Sequence, residues 1–72
     1  MGRKLSTYEA TDGKGYCEVH FDFREEYAYI KYYDDNGKKF YTEDHRNKKI
    51  DDVFSHAGKW AEGYEKIEKD LY

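Results

Sequence analysis

The chain has 72 residues, a formal charge of −3 and a pI near 5.5. That is the size of one small domain, and its charge excludes a long-range positive field that would draw it to nucleic acid or anionic lipid. Charged residues make up 40% and hydrophobic ones 38%, close to the balance of disordered chains, but nine Tyr, four Phe and one Trp supply the large apolar area a fold needs.

Residues 1–14 read as either an extra edge strand or a flexible arm. Lys4 to Ala10 suits a strand, and a two-residue Asp12-Gly13 loop would set Tyr8 opposite Cys17, both facing the core. Tyr16 to Phe23 alternates as a strand, with Cys17, Val19, Phe21 and Phe23 on one side. Tyr27 to Tyr33 follows, with Ala28, Ile30 and Tyr32 on one side. Matching the apolar sets predicts the pairs Phe23 with Ala28, Phe21 with Ile30 and Val19 with Tyr32.

Asp34-Asp35-Asn36-Gly37 marks the next hairpin, and two loop lengths compete there. A two-residue Asn36-Gly37 turn would send Phe40 outward. A three-residue loop with Gly37 left-handed pairs Tyr32 with Phe40 and Ile30 with Thr42, keeping Phe40 on the core side; this loop is preferred. The third strand then covers Lys38 to Glu43, and Asp44 to Arg46 form a polar connection.

Lys48 to Leu71 reads as one long amphipathic helix. Ile50, Val53, Phe54, Ala57, Trp60, Ala61, Tyr64, Ile67 and Leu71 fall in one arc of roughly 140° at 100° per residue. Asn47 is the expected N-cap, with Asp51 and Asp52 near the positive end of the dipole and Lys66 and Lys69 near the negative end. Gly58 and Gly63 flank the arc, where they would let the helix lie close to the sheet or clear space for a partner. The expected fold is α+β, an antiparallel β-meander of three or four strands with one long C-terminal helix packed on one face, within a single domain over residues 1–72.

With the apolar sets turned to the helix, the other sheet face is expected to hold Tyr16, His20, Tyr27, Tyr29, Lys31, Tyr33 and Tyr41. Asp34, Asp35 and Glu43 add charge around it, and Glu18, Asp22 and Lys39 share the face. Five of nine tyrosines in one charged-rimmed patch is the composition of an interaction surface. Tyrosine is also a good strand former and cross-strand partner, which accounts for part of the enrichment. The same patch resembles a base-stacking platform, but Glu18, Asp22 and Glu43 offset Lys31 and Lys39. A further reading gathers Asp34, Asp35, Glu43, Asp44, Asp51 and Asp52 at one end as a mimic of nucleic acid, against which stand the interleaved Lys38, Lys39, Arg46, Lys48 and Lys49.

No catalytic or cofactor constellation is legible. Cys17 and His20 are three apart on a strand and point to opposite sides, so they make no metal pair. His45 is expected in a loop and His56 on a solvated helix face. Cys17 is expected to be buried without a base, and there is no phosphate loop, dinucleotide fingerprint or calcium loop. The expectations are no enzyme, no cofactor and no metal.

One cysteine excludes an internal disulfide, no apolar run reaches the length of a membrane span, and Met1-Gly2-Arg3-Lys4 lacks the apolar stretch of a signal peptide; a cytoplasmic protein is expected. Short length, absent proline, abundant tyrosine and acid and the lack of catalytic motifs together resemble, in general style, the small anti-defence and host-takeover inhibitors of phages and mobile elements, including anti-CRISPR proteins. That resemblance implies a partner that is a host protein or complex, nucleic-acid-binding ones among them. It transfers no site. The alternatives are a single-stranded nucleic-acid binder and a structural homodimer through the same face.

Overall fold

The computed structural model describes residues 2–63. Along it run β1 (Gly2–Glu9), β2 (Tyr16–Asp22), β3 (Tyr27–Tyr33), β4 (Lys39–His45) and α1 (Ile50–Ala61). The strands pair antiparallel in chain order, β1-β2-β3-β4, and α1 lies across one face, giving the expected α+β arrangement with four strands. Between the layers Cys17, Val19, Ala28, Ile30 and Tyr32 meet Val53 and Ala57, with Tyr8, Phe21, Phe54 and Trp60 packed around them.

The first hairpin has the expected register, but its loop is longer than the two residues expected: Ala10 and Gly15 close it, and Thr11 to Lys14 form the turn. Ala10 N donates to Gly15 O at 2.9 Å, Lys14 N donates to the Asp12 carboxylate at 2.9 Å, and Tyr8 pairs with Cys17. Residues 2–9 are therefore an edge strand, interrupted by a register break between Lys4 and Ser6.

The β2–β3 register differs from expectation by two residues: Phe21 pairs with Ala28, Val19 with Ile30 and Cys17 with Tyr32. Asp22 sets this. Its carboxylate accepts from the backbone N–H of Arg24 at 2.9 Å and Glu25 at 3.1 Å, and Glu26 N donates to its carbonyl at 2.7 Å. An even shift preserves the faces, so only Phe23 changes place, into the loop at 58% exposure.

At β3–β4 the expected three-residue loop forms. Asp34 N donates to Lys38 O at 2.9 Å and Gly37 takes a φ of +80°, a conformation open to glycine without a Cβ clash. Tyr33 then pairs with Lys39, but a second irregularity follows at once: Tyr32 pairs with Tyr41, and Phe40 is the extra residue. A one-residue slip turns a strand over. Ile30 therefore faces Glu43 rather than Thr42, and Tyr41, Glu43 and His45 point to the helix side, while Phe40 is 39% exposed. The physical reason lies in Tyr32. Its side chain is fully buried, and only this register brings Glu43 inside to accept its hydroxyl at 2.8 Å.

The helix is shorter than the apolar pattern suggested. Lys49, not Asn47, is the N-cap residue, with no side-chain cap, and Asp51 and Asp52 occupy the first turn. At the other end Gly63 takes a φ of +87°, its N–H donates to Trp60 O at 3.0 Å and Glu62 N donates to Gly58 O at 3.0 Å, a left-handed stop. Thr11 of the β1–β2 loop donates to Ala61 O through its N–H at 2.8 Å and its hydroxyl at 3.3 Å, satisfying a terminal carbonyl. Tyr64, Lys66, Ile67, Lys69 and Leu71 of the expected pattern lie outside the described residues.

Gly58 sits over β1, where an added Cβ would meet Tyr8 at 3.9 Å, ordinary contact. Gly58→Ala is expected to raise stability by about 0.5–1 kcal/mol, a gain of several degrees in Tm. Thermal and urea melts check this; a lower Tm would mean that α1 needs the missing methyl in order to seat on β1.

Candidate functional site

Two surfaces carry groups beyond what packing requires. The first is the sheet face away from α1, uncovered by any other layer among the described residues. Alternation places Tyr16 and His20 of β2 and Tyr27, Tyr29, Lys31 and Tyr33 of β3 there, as expected. Their rings are ordered against one another. Tyr16 and Tyr33 stack at 4.7 Å between centroids, His20 and Tyr29 at 5.2 Å, and Tyr27 leans on Tyr29 at 5.7 Å. Cross-strand pairing brings these rings together, since Tyr16 lies opposite Tyr33 and His20 opposite Tyr29.

Charged groups pin the rings. Glu18 accepts from His20 Nε2 at 3.0 Å and from the Tyr33 hydroxyl at 3.2 Å, with Lys4 Nζ at 3.7 Å. Arg46 lies 3.8 Å from the centre of the Tyr27 ring and donates to Glu25 at 3.0 Å, and Lys31 Nζ is 5.9 Å above Tyr29. Burial, reinforced by neighbouring negative charge, pushes the Tyr29 and Tyr33 hydroxyls above the usual phenol range, so both remain donors at neutral pH. The Tyr29 hydroxyl also lies over Gly2, where a Cβ would collide with it.

Two of the expected members, Tyr41 and Glu43, are placed elsewhere, whereas Asp34 and Asp35 lie in the hairpin turn as expected. Tyr41 and Glu43 face the helix because of the slip at Phe40. Asp34 and Asp35 lie in the β3–β4 loop, and the Asp34 carboxylate is committed to the turn, accepting from Asn36 N and Lys38 N at 2.9 Å each. The acidic residues do not gather either. Asp44 pairs with Tyr29, four residues along β3 from Tyr33 and the Asp34 loop, which is about 13 Å at the rise of a strand.

The second surface is a groove of about 630 Å³ between α1 and the helix side of β4. Here the slip has a further consequence: Glu43 and His45, two apart on β4, share a side and face His56 of α1. Glu43 Oε1 accepts from His45 Nε2 at 2.8 Å and from the Tyr32 hydroxyl at 2.8 Å, and His56 Nε2 is 3.0 Å from the same oxygen. Burial acts to raise the Glu43 pKa, but the hydrogen bonds from His45 and Tyr32 outweigh it and hold the carboxyl below its ordinary range. His45 is thus a strand residue rather than a loop one. His56 is a half-buried groove residue rather than a solvated one. The signal in the chain was the i, i+2 pair Glu43 and His45, legible only once the register of β4 is known.

Against protein-family models, curated proteins and solved structures the chain finds no match, so function rests on this geometry.

Cys17 is fully buried, its Sγ 3.9 Å from Ala57 O, and burial first, then the charges of Glu43 and Glu18, pushes its thiol up to about 12. Native protein at neutral pH is expected to leave a thiol reagent such as DTNB unreacted, with one equivalent consumed in urea; native reaction would contradict this burial. Burial acts to raise the Glu18 pKa, but His20, Lys4 and Tyr33 together hold it below the ordinary value. A depressed carboxyl contributes stability above its unfolded pKa of about 4.3, lost as pH falls through the folded value. Glu18→Gln is therefore expected to cost about 1 kcal/mol at neutral pH, with the difference shrinking as pH falls through the folded value of Glu18. Urea melts across that range measure it, and a pH-independent difference would refute the assignment.

Proposed function

We propose that this chain is a non-enzymatic protein-binding module that grips a folded protein through the tyrosine face of its sheet. The observation that carries this reading is the ring ladder Tyr16–Tyr33, His20–Tyr29 and Tyr27, ordered by stacking and by Glu18 on a face that no other described layer covers. Ordered tyrosines give large contact area with little rotamer entropy left to lose, and their hydroxyls supply polar contacts at the rim. Unsupported aromatic groups would collapse or mispair; these are stacked in register by cross-strand pairing.

The charge pattern selects the class of partner. Lys4, Lys31, Lys39 and Arg46 on this face are matched by Glu9, Glu18, Asp22 and Asp44, so the described residues offer no positive track for a phosphate backbone. A protein surface of mixed charge is the fitting counterpart. Inhibition of a host protein or complex belongs to the same reading: a small binder acts by occluding what it covers, and the one thiol is too buried and too weakly acidic to act as a nucleophile.

The test compares the wild-type chain with Tyr29→Ala/Tyr33→Ala as bait in nuclease-treated lysate, then measures affinity for the captured protein. The double variant is expected to keep its far-UV circular dichroism and lose at least about 2 kcal/mol of binding. Equal capture by both baits would remove the sheet face from the function. Affinity for single-stranded nucleic acid that falls steeply with salt, or a concentration-dependent dimer abolished by the double variant, would each replace this reading with its alternative.

A further inference from the structure

The groove between α1 and β4 holds a donor set of a recognisable chemical kind. Glu43 and His45 project from one side of an edge strand and His56 from the facing helix, so the three come from two separate elements and converge on one point. Their ligand atoms, a carboxylate oxygen and two imidazole nitrogens, all lie within 4.8 Å of one another. All three are half-buried: side-chain exposure is 15% for Glu43, 12% for His45 and 23% for His56.

We propose that Glu43, His45 and His56 form a binding site for a divalent first-row transition ion of the zinc type, joining α1 to β4. An ion bonded to nitrogen and oxygen at about 2.0–2.2 Å in tetrahedral geometry keeps its ligand atoms roughly 3.3–3.5 Å apart. The observed Glu43–His45 and Glu43–His56 separations of 2.8 and 3.0 Å need to open by only a few tenths of an ångström. The two imidazoles need to approach one another from no more than 4.8 Å.

The surroundings support the same reading. Tyr32, fully buried and edge-on to Trp60 at 5.0 Å, donates its hydroxyl to the Glu43 carboxylate at 2.8 Å. Metal-bound carboxylates are commonly oriented by such an outer hydrogen bond. The groove lies open in front of the three donors, leaving space for a water or a partner's side chain as the fourth ligand, and Asp52, one helical turn before His56, also lines it. Two imidazoles with one carboxylate favour zinc-type ions, whereas calcium and magnesium take oxygen ligands.

The experiment uses the untagged full chain and ZnCl2 alone, followed by the imidazole 15N–1H correlations of the three histidines. His45 and His56 are expected to shift together, saturating at one equivalent, while His20 on the opposite sheet face keeps its position. His45→Gln and His56→Gln are each expected to weaken binding at least about tenfold with circular dichroism unchanged. Excess Mg2+ is expected not to displace the ion. No shift at millimolar Zn2+, saturation only with His20 shifting equally, or undiminished binding by His56→Gln would overturn the site. Should either variant fail to fold, the wild-type histidine shifts decide the matter.

Discussion

Much of this structure depends on one buried hydroxyl. Tyr32 is the largest side chain in the core that water does not reach, and a phenol placed there without a partner would cost about as much as a lost buried hydrogen bond. Glu43 answers it at 2.8 Å. For Glu43 to be inside, β4 must present its odd-numbered residues to the helix, and the hairpin loop alone would have presented the even-numbered ones. The extra residue at Phe40 reconciles the two. A demand arising in the centre of the sheet is thus met by an irregularity near its edge.

From that turn of β4 both surfaces take their character. On the helix side it carries Tyr41, Glu43 and His45 into the groove, where a charged carboxylate sits among Tyr32, His45 and His56. On the other side it leaves Thr42 and Asp44 opposite Lys31 and Tyr29, so the tyrosine face is bounded by a short polar strand rather than extended by another aromatic one. The ladder is then confined to β2 and β3, the central pair, where cross-strand stacking is best supported. The result is a sheet whose two sides differ in kind: ordered rings on one, convergent donors on the other.

The helix is fixed at both ends by different means. Its start relies on the dipole, with Asp51 and Asp52 in the first turn and no side-chain cap. Its end is held by the first hairpin, since Thr11 donates twice to the Ala61 carbonyl. That contact ties the edge strand β1 to α1 and closes the layer on the side away from β4. Between these anchors α1 lies mainly over β1, β2 and β3, which leaves the inner side of β4 as a groove wall instead of a buried strand.

What the chain determined by itself is what local period and turn chemistry control. Alternation in Tyr16–Asp22 and Tyr27–Tyr33 placed the core residues and most of the tyrosine face, the turn residues around Asp12-Gly13 centred a hairpin that sets Tyr8 against Cys17, though with a longer loop, and the Asp35-Asn36-Gly37 loop formed with Gly37 left-handed. The apolar arc of α1 predicted the burial of Val53, Ala57 and Ala61. Only the tertiary structure decided where the registers stop. Asp22 chose the β2–β3 turn through hydrogen bonds of its side chain, shifting two residues without changing a face. Phe40 shifted β4 by one, and in a strand an odd shift exchanges the faces. No local signal at Phe40 announces this, because the cause is a hydroxyl on the neighbouring strand seeking a carboxylate eleven residues away. The Glu43, His45 and His56 cluster was invisible for the same reason: two of its members change sides with the register, and the third meets them only when the helix is laid down.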